Sequence, residues 1–241
     1  MPSVTAWDML AFWEQGYTES LPQKALRLLA LAWPDVPPDE LAALSIGQRD
    51  GRLLTLREQL FGPDLQSVVN CPACGERLEL AFQVADITVA ENDQAEFSFS
   101  QNGYTVRFRL PNSLDLLAVS SDMGSSAPEQ QLLDRCLLEV THSRKKKGKQ
   151  LPAKIIEAVI NEMAAADPQA DVRLDLDCPA CSHHWQSLFD IVSFIWQEIN
   201  SWAIRTLREV HALASAYGWP ERDILLMSPW RRQLYLQMVN G

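Results

Sequence analysis

Hydrophobic positions recur at helical spacing through the first seventy residues, which read as helices, and the residues between them mark where each helix begins and ends. Thr5 followed by Asp8 has the form of a capping box, and Trp7, Leu10 and Phe12 give a partly apolar helix that stops near Gly16. Ser20 caps the next, with Pro22 in its first turn, and Leu26, Leu28, Leu29, Leu31 and Trp33 fill it until Pro34. Pro37-Pro38 sets off a short segment from Asp39 to Leu44. The clearest helix of this half runs from Gln48 to Phe61. Leu53, Leu56, Leu60 and Phe61 share a face there, while Arg49, Arg52, Arg57 and Glu58 mostly fall elsewhere, and Gly62-Pro63 stops it.

Further on the period shortens to two. Leu78, Leu80, Phe82 and Val84 alternate with Glu79, Ala81 and Gln83, which predicts a half-buried strand. Phe97, Phe99, Tyr104, Val106, Phe108 and Leu110 predict a hairpin turning at Gln101-Asn102-Gly103. Ser113 to Val119 begins a short helix, Ser120 to Pro128 reads as a loop, and Glu129 to His142 as a helix. Pro152 to Ala166 predicts another helix with Ile155, Ile156, Val159 and Met163 inside. Val172, Leu174 and Leu176 then alternate with Arg173, Asp175 and Asp177 as a strand. From Ser187 to Tyr217 a long apolar stripe including Val192, Ile195, Ile199, Val210 and Leu213 predicts one helix, closed by Gly218. Pro220 opens a short helix, and Ser228-Pro229 starts a last one ending near Val239.

Composition bounds the class. The chain has 241 residues, 47% apolar and 22% charged, as expected of a globular protein with a sizeable core. Its formal net charge of −10 argues against general phosphate binding. The opening residues lack a basic stretch followed by an apolar core, and no run approaches the length of a membrane span, so a cytoplasmic location is expected.

Chemistry concentrates in one repeated tetrapeptide, Cys71-Pro72-Ala73-Cys74 and Cys178-Pro179-Ala180-Cys181. Each tight turn offers two thiolates to one point, and two turns supply the four soft ligands that tetrahedral zinc prefers. In a reducing compartment such pairs are metal ligands more often than disulfides. A redox dithiol is the rival, but it needs a helix opening directly after the pair, whereas the sequence after Cys74 is extended. His183 and His184 follow the second pair and could replace a thiolate. With four cysteines present, they are expected to decorate the turn. Cys136 falls at helical apolar spacing and reads as a small core residue; His142 and His211 read as surface or packing residues. Arg144 to Lys149 form a basic run that could touch phosphate but more commonly is a solvated loop. No nucleophile–base pattern, phosphate-cradling glycine loop or paired catalytic carboxylates stand out, so no enzyme is expected. The eight Trp residues, several of them in the C-terminal helices, fit a packed core first and a docking surface second.

Three stretches together resemble a known family. They are Ser45-Ile46-Gly47-Gln48-Arg49-Asp50-Gly51-Arg52-Leu53-Leu54-Thr55-Leu56-Arg57-Glu58 with Phe61-Gly62; the two Cys turns; and Glu209-Val210-His211-Ala212-Leu213-Ala214 with Tyr217-Gly218-Trp219, Ile224-Leu225 and Arg231-Arg232-Gln233-Leu234-Tyr235-Leu236. The chain resembles phage T4-type baseplate proteins encoded with contractile tails and phage-derived contractile injection systems. The resemblance implies a non-enzymatic component or assembly factor, with other baseplate, hub or tail proteins as partners and a place in a phage tail-like particle. Ser182 departs from the glycine usual after such a turn.

The expected fold is α+β and mostly helical, with a four-cysteine zinc ribbon and small antiparallel strands. Residues 1–66 form a helical N-terminal region, 67–186 a split ribbon with an insertion at about 85–170, and 187–241 a helical C-terminal region. The metal ligands are Cys71, Cys74, Cys178 and Cys181, with Zn2+ as a structural ion. A zinc-ribbon module binding nucleic acid through residues 144–149 is the alternative.

Overall fold

The computed structural model describes residues 4–90, 92, 94–121, 127–143 and 151–240. In chain order the first helices are α1 (Ala6–Gly16), α2 (Leu21–Ala32), α3 (Pro38–Ala43) and α4 (Ile46–Phe61). Strands β1 (Asp64–Asn70) and β2 (Arg77–Gln83), the short α5 (Val84–Ile87), β3 (Phe97–Gln101), β4 (Tyr104–Phe108), α6 (Ser113–Ser121), α7 (Pro128–Cys136) and β5 (Leu137–His142) follow. Then come α8 (Ala153–Ala166), a 3-10 turn (Pro168–Ala170), β6 (Arg173–Asp177), β7 (His184–Leu188), α9 (Ile191–Tyr217), α10 (Glu221–Leu225) and α11 (Pro229–Asn240). No helix among the described residues is long and apolar enough to cross a membrane.

The chain divides into two compact units, one built from Met1–Val36 with Val192–Gly241 and the other from Pro37–Ile191. The first is helical. Leu10, Ala203, Val210, Leu213, Ile224 and Leu225 form its buried cluster, with Trp13, Trp202 and Trp219 packed on it. The Trp13 indole donates to Asn200 Oδ1 at 2.8 Å, and Trp219 stacks on Tyr217 with centroids 4.5 Å apart. Trp7 and Trp230 are exposed instead. Arg232, 3% exposed, is held by Glu209 at 3.0 Å and by the Met227 carbonyl at 2.8 Å.

The second unit holds three small antiparallel sheets: β1–β2, β3–β4–β5 and β6–β7. β3 and β4 join through Asn102 and Gly103, both in the left-handed region at φ 53° and 80°, as a two-residue hairpin turn requires. Val106, Phe108, Leu133, Ile155 and Val159 form the core between this sheet, α7 and α8. Three expectations need correction. β1 is a strand where the first seventy residues read as wholly helical. The helix expected from Glu129 to His142 ends at Cys136, and the chain continues as β5, paired with β4 from Leu137↔Phe108 to His142↔Tyr104. The helix expected from Ser187 begins only at Ile191, because His184–Leu188 pairs with β6.

Helix α4 anchors this unit through its N-terminus. Ser45 and Gln48 form a capping box, with Gln48 N to Ser45 Oγ at 3.1 Å and Ser45 N to Gln48 Oε1 at 3.0 Å. The Gln48 amide also donates to Asn92 O at 2.9 Å, and Asn92 in turn donates to Ala166 O. The Gly47 N–H donates to Asp167 Oδ2 at 2.9 Å, placing a carboxylate at the positive end of the helix dipole. A Cβ at Gly47 would run into that carboxylate, so the close approach requires glycine. Arg49 and Arg57, expected off the apolar face, are both buried. Arg57 donates to Gly62 O at 2.7 Å, and Arg49 pairs with Asp50 at 2.7 Å and reaches Ser113 at 3.4 Å. A second buried node is Asp115, which accepts from both Arg109 nitrogens (2.6 and 2.9 Å) and from Arg135 Nε (2.9 Å).

The two Cys turns are the tips of the hairpins β1–β2 and β6–β7, and their backbones match. Gly75 N donates to Cys71 O at 2.9 Å and Ser182 N to Cys178 O at 2.8 Å; Cys71 N donates to Glu76 O and Cys178 N to His183 O. Both fifth residues are left-handed, Gly75 at φ 78° and Ser182 at φ 57°. The serine therefore copies the shape of the first turn at a conformational cost.

Gly75→Ala, where nothing crowds an added Cβ, is expected to lower stability by about 1 kcal/mol, and Ser182→Gly to raise it by up to about 1 kcal/mol. Denaturant unfolding of the two variants checks the signs. A pH dependence follows from Asp50. Burial, opposed by Arg49 and reinforced by Asp190 and Asp167, pushes its carboxyl up to about 6. The folded state then holds a proton that the unfolded chain has released. Stability from this group is full below about pH 4 and is lost as pH rises through 6, on the order of 2 kcal/mol. The stability difference between the natural chain and Asp50→Asn, measured by denaturation from pH 4 to 8, should shift by that amount; a flat difference would refute it.

Candidate metal centre

β1 delivers Cys71 and β6 delivers Cys178 at the end of a strand whose last pairs are Asn70↔Arg77 and Asp177↔His184. Each tight turn brings the second cysteine back beside the first. Cys71 and Cys178 are buried, while Cys74 and Cys181 are exposed. The pairs interleave: Cys71 Sγ lies 3.7 Å from Cys181 Sγ, and Cys74 Sγ lies 3.6 Å from Cys178 Sγ. All four sulfurs fall within 4.8 Å of one another. These separations are far from a disulfide length of about 2.05 Å. They match the edge of about 3.8 Å in a tetrahedron with metal–sulfur bonds of about 2.3 Å. The cluster can hold a metal ion. No other group of three or more His, Cys, Asp or Glu side chains among the described residues converges in this way.

Crowding divides the thiols. Desolvation raises Cys71, but the N–H groups of Cys74 and Ala73 and the sulfurs of Cys178 and Cys74 outweigh it and bring it down to about 7. The Glu76 N–H favours ionised Cys74, yet the contact with Cys181 and burial leave that thiol pushed up to about 12. Cys181 is raised as well, against the N–H of His183. Cys71 thus favours its thiolate and in turn disfavours those of Cys74 and Cys181. A cation at the centre removes that repulsion, and four thiolates around one ion fill a tetrahedral shell, leaving no position for water or substrate.

The remaining candidates lie elsewhere. His184 Nδ1 is 3.1 Å from Asp177 Oδ1, and His183 stacks on Trp185 with centroids 5.9 Å apart; neither joins the sulfur group. Cys136 is buried at the end of α7, where burial pushes its thiol up to about 11. The His142 ring packs edge-on to Tyr104, and His211 is exposed. The basic run 144–149 lies outside the described residues. Sequence reasoning missed the buried polar network around α4 and Asp115. Its one local signal was Gln48 three residues after Ser45, a capping-box spacing.

A family model described as T4 bacteriophage base plate protein matches residues 35–196. Comparison with curated proteins and with solved structures finds no match in either. The matched segment contains α4 with its buried network, both Cys turns and the insertion between them. This chain belongs to the T4 bacteriophage base plate protein family.

Proposed function

We propose that this protein is a non-enzymatic part of a contractile tail-like baseplate, as a component or an assembly factor, and that a structural zinc ion held by Cys71, Cys74, Cys178 and Cys181 clasps its two hairpins. One observation carries the reading. In a chain of this family, two turns more than one hundred residues apart bring four sulfurs within 4.8 Å, a donor set with no room for chemistry. Four thiolates suit zinc better than magnesium or calcium, which take oxygen ligands. The ion turns two separate hairpins into a split ribbon over residues 67–186, between helical regions 1–66 and 187–241. Its partners are other baseplate, hub or tail proteins, met through exposed apolar side chains such as Trp230 and Leu226. The particle in which it assembles is its place of action.

Two experiments test this. Elemental analysis of the purified chain should give one zinc per molecule. Chelation, or Cys74→Ser with Cys181→Ser, should unfold the hairpins, since a structural site contributes on the order of 10 kcal/mol. A metal-free preparation with an unchanged unfolding midpoint would refute the zinc. Separately, tagged protein recovered from its native host should bring down tail or baseplate proteins, and recovery of none of them would refute the assembly role.

A further inference from the structure

Both clasped hairpins carry a spare edge. β2 is bonded along one side to β1, and β6 along one side to β7, with no backbone hydrogen bond from β2 to β6 among the described residues. A groove of about 660 Å³ runs between them, bordered by Glu79–Phe82 on one flank and Val172–Leu176 on the other. A five-residue strand, about 17 Å long, 4.8 Å wide and 10 Å through its side chains, displaces on the order of 800 Å³, so the open groove is strand-sized. β2 leaves its Cys turn while β6 runs toward its own, and the two turns meet at the sulfurs. The free edges therefore run in opposite senses, and an inserted strand would lie parallel to one and antiparallel to the other.

The side chains add a chemical preference. Leu78, Leu80, Phe82, Leu174 and Leu176 are half-buried on one face, while Glu79 and Asp175 are exposed on the other. Asp86 and Asp171 also line the groove. Among the described residues the lining has one cation, Arg173, and Asp171 already pairs with it at 2.9 Å. A second copy of this chain fits poorly: its net charge is −10, and its β2 would bring Glu79 against Asp175.

We propose that this groove takes an extended segment of a partner protein, alternating basic and apolar residues, as a fifth strand between β2 and β6. Backbone groups of both edges supply the affinity that added strands use, and the carboxylates select basic side chains. Closing the gap also removes two open edges, which folded proteins otherwise have to protect. The inference goes beyond the baseplate reading and does not rest on it, because strand addition is measurable on the isolated protein.

The probe is a seven-residue peptide alternating lysine and valine, with a version carrying a central proline as control. Titration into the purified chain should give saturable binding below about 1 mM. Amide hydrogen exchange should show new protection at residues 79–82 and 173–176. Glu79→Lys with Asp175→Lys should weaken binding by about tenfold, while Glu157→Lys, exposed on α8, should not, and the proline peptide should not bind. Absence of that protection, equal binding of the proline peptide, or indifference to the double reversal would overturn the proposal. So would self-association abolished by the same reversal, which assigns the groove to a second copy. Binding seen only after deletion of residues 144–149 would assign it to this chain's own basic segment.

Discussion

Four thiols packed within 4.8 Å of one another are an electrostatic problem before they are anything else. They cannot all ionise together without a cation, and left protonated they make only weak sulfur contacts. Both hairpins end at this point, so the backbone has been bent to create the crowding. The matching hydrogen bonds of the two turns show how specific that bending is. Ser182 adopts the left-handed conformation that Gly75 adopts, although it carries a Cβ. A turn held in that shape against its own preference marks the sulfur geometry as the quantity being kept.

Around the cysteine cluster, the Pro37–Ile191 unit is tied by polar contacts as well as by buried apolar side chains such as Leu53, Leu65 and Phe108. Gly47, Gln48, Asn92, Asp167 and Gln169 link the start of α4 to the segment after α5 and to the end of α8. Asp115 gathers Arg109 and Arg135 in the same way, joining the segment just after β4 to α6 and α7. Buried groups of this kind are costly when half satisfied and specific when complete. No buried side-chain nitrogen or oxygen among the described residues lacks a partner. In the Gly-Gln-Arg-Asp stretch of α4, the Gly47 N–H and the Gln48, Arg49 and Asp50 side chains all serve as structural bonds.

The sequence made the helices legible and half the strands. α1, α2, α8 and α9 follow from apolar spacing and caps, and β2, β3, β4 and β6 from clean alternation. β1 and β7 stayed hidden because their alternation is interrupted. Leu65, Val69 and Trp185 point inward as a strand requires, but Ser67 and Ser187 take inward positions while Val68 and Leu188 face out, which weakens the hydrophobic period of two. β5 was masked for another reason. Leu133, Cys136, Leu137 and Val140 fit a helix as well as a strand, and pairing with β4, which no local rule can see, decides the matter. The four cysteines and their meeting at one point were expected from the repeated turn alone, and the four sulfurs do meet. The meeting itself depends on everything folded between them.

That dependence has an entropic face. Cys74 and Cys178 stand 104 residues apart, and closing so long a loop costs about 4 kcal/mol of chain entropy. Nearer contacts, such as the hairpin β3–β4, the docking of α8 and the polar links to α4, shorten the effective length of that loop, so the meeting of the two tips costs less chain entropy once they are made. A chain that has not made them carries two separate pairs of soft donors.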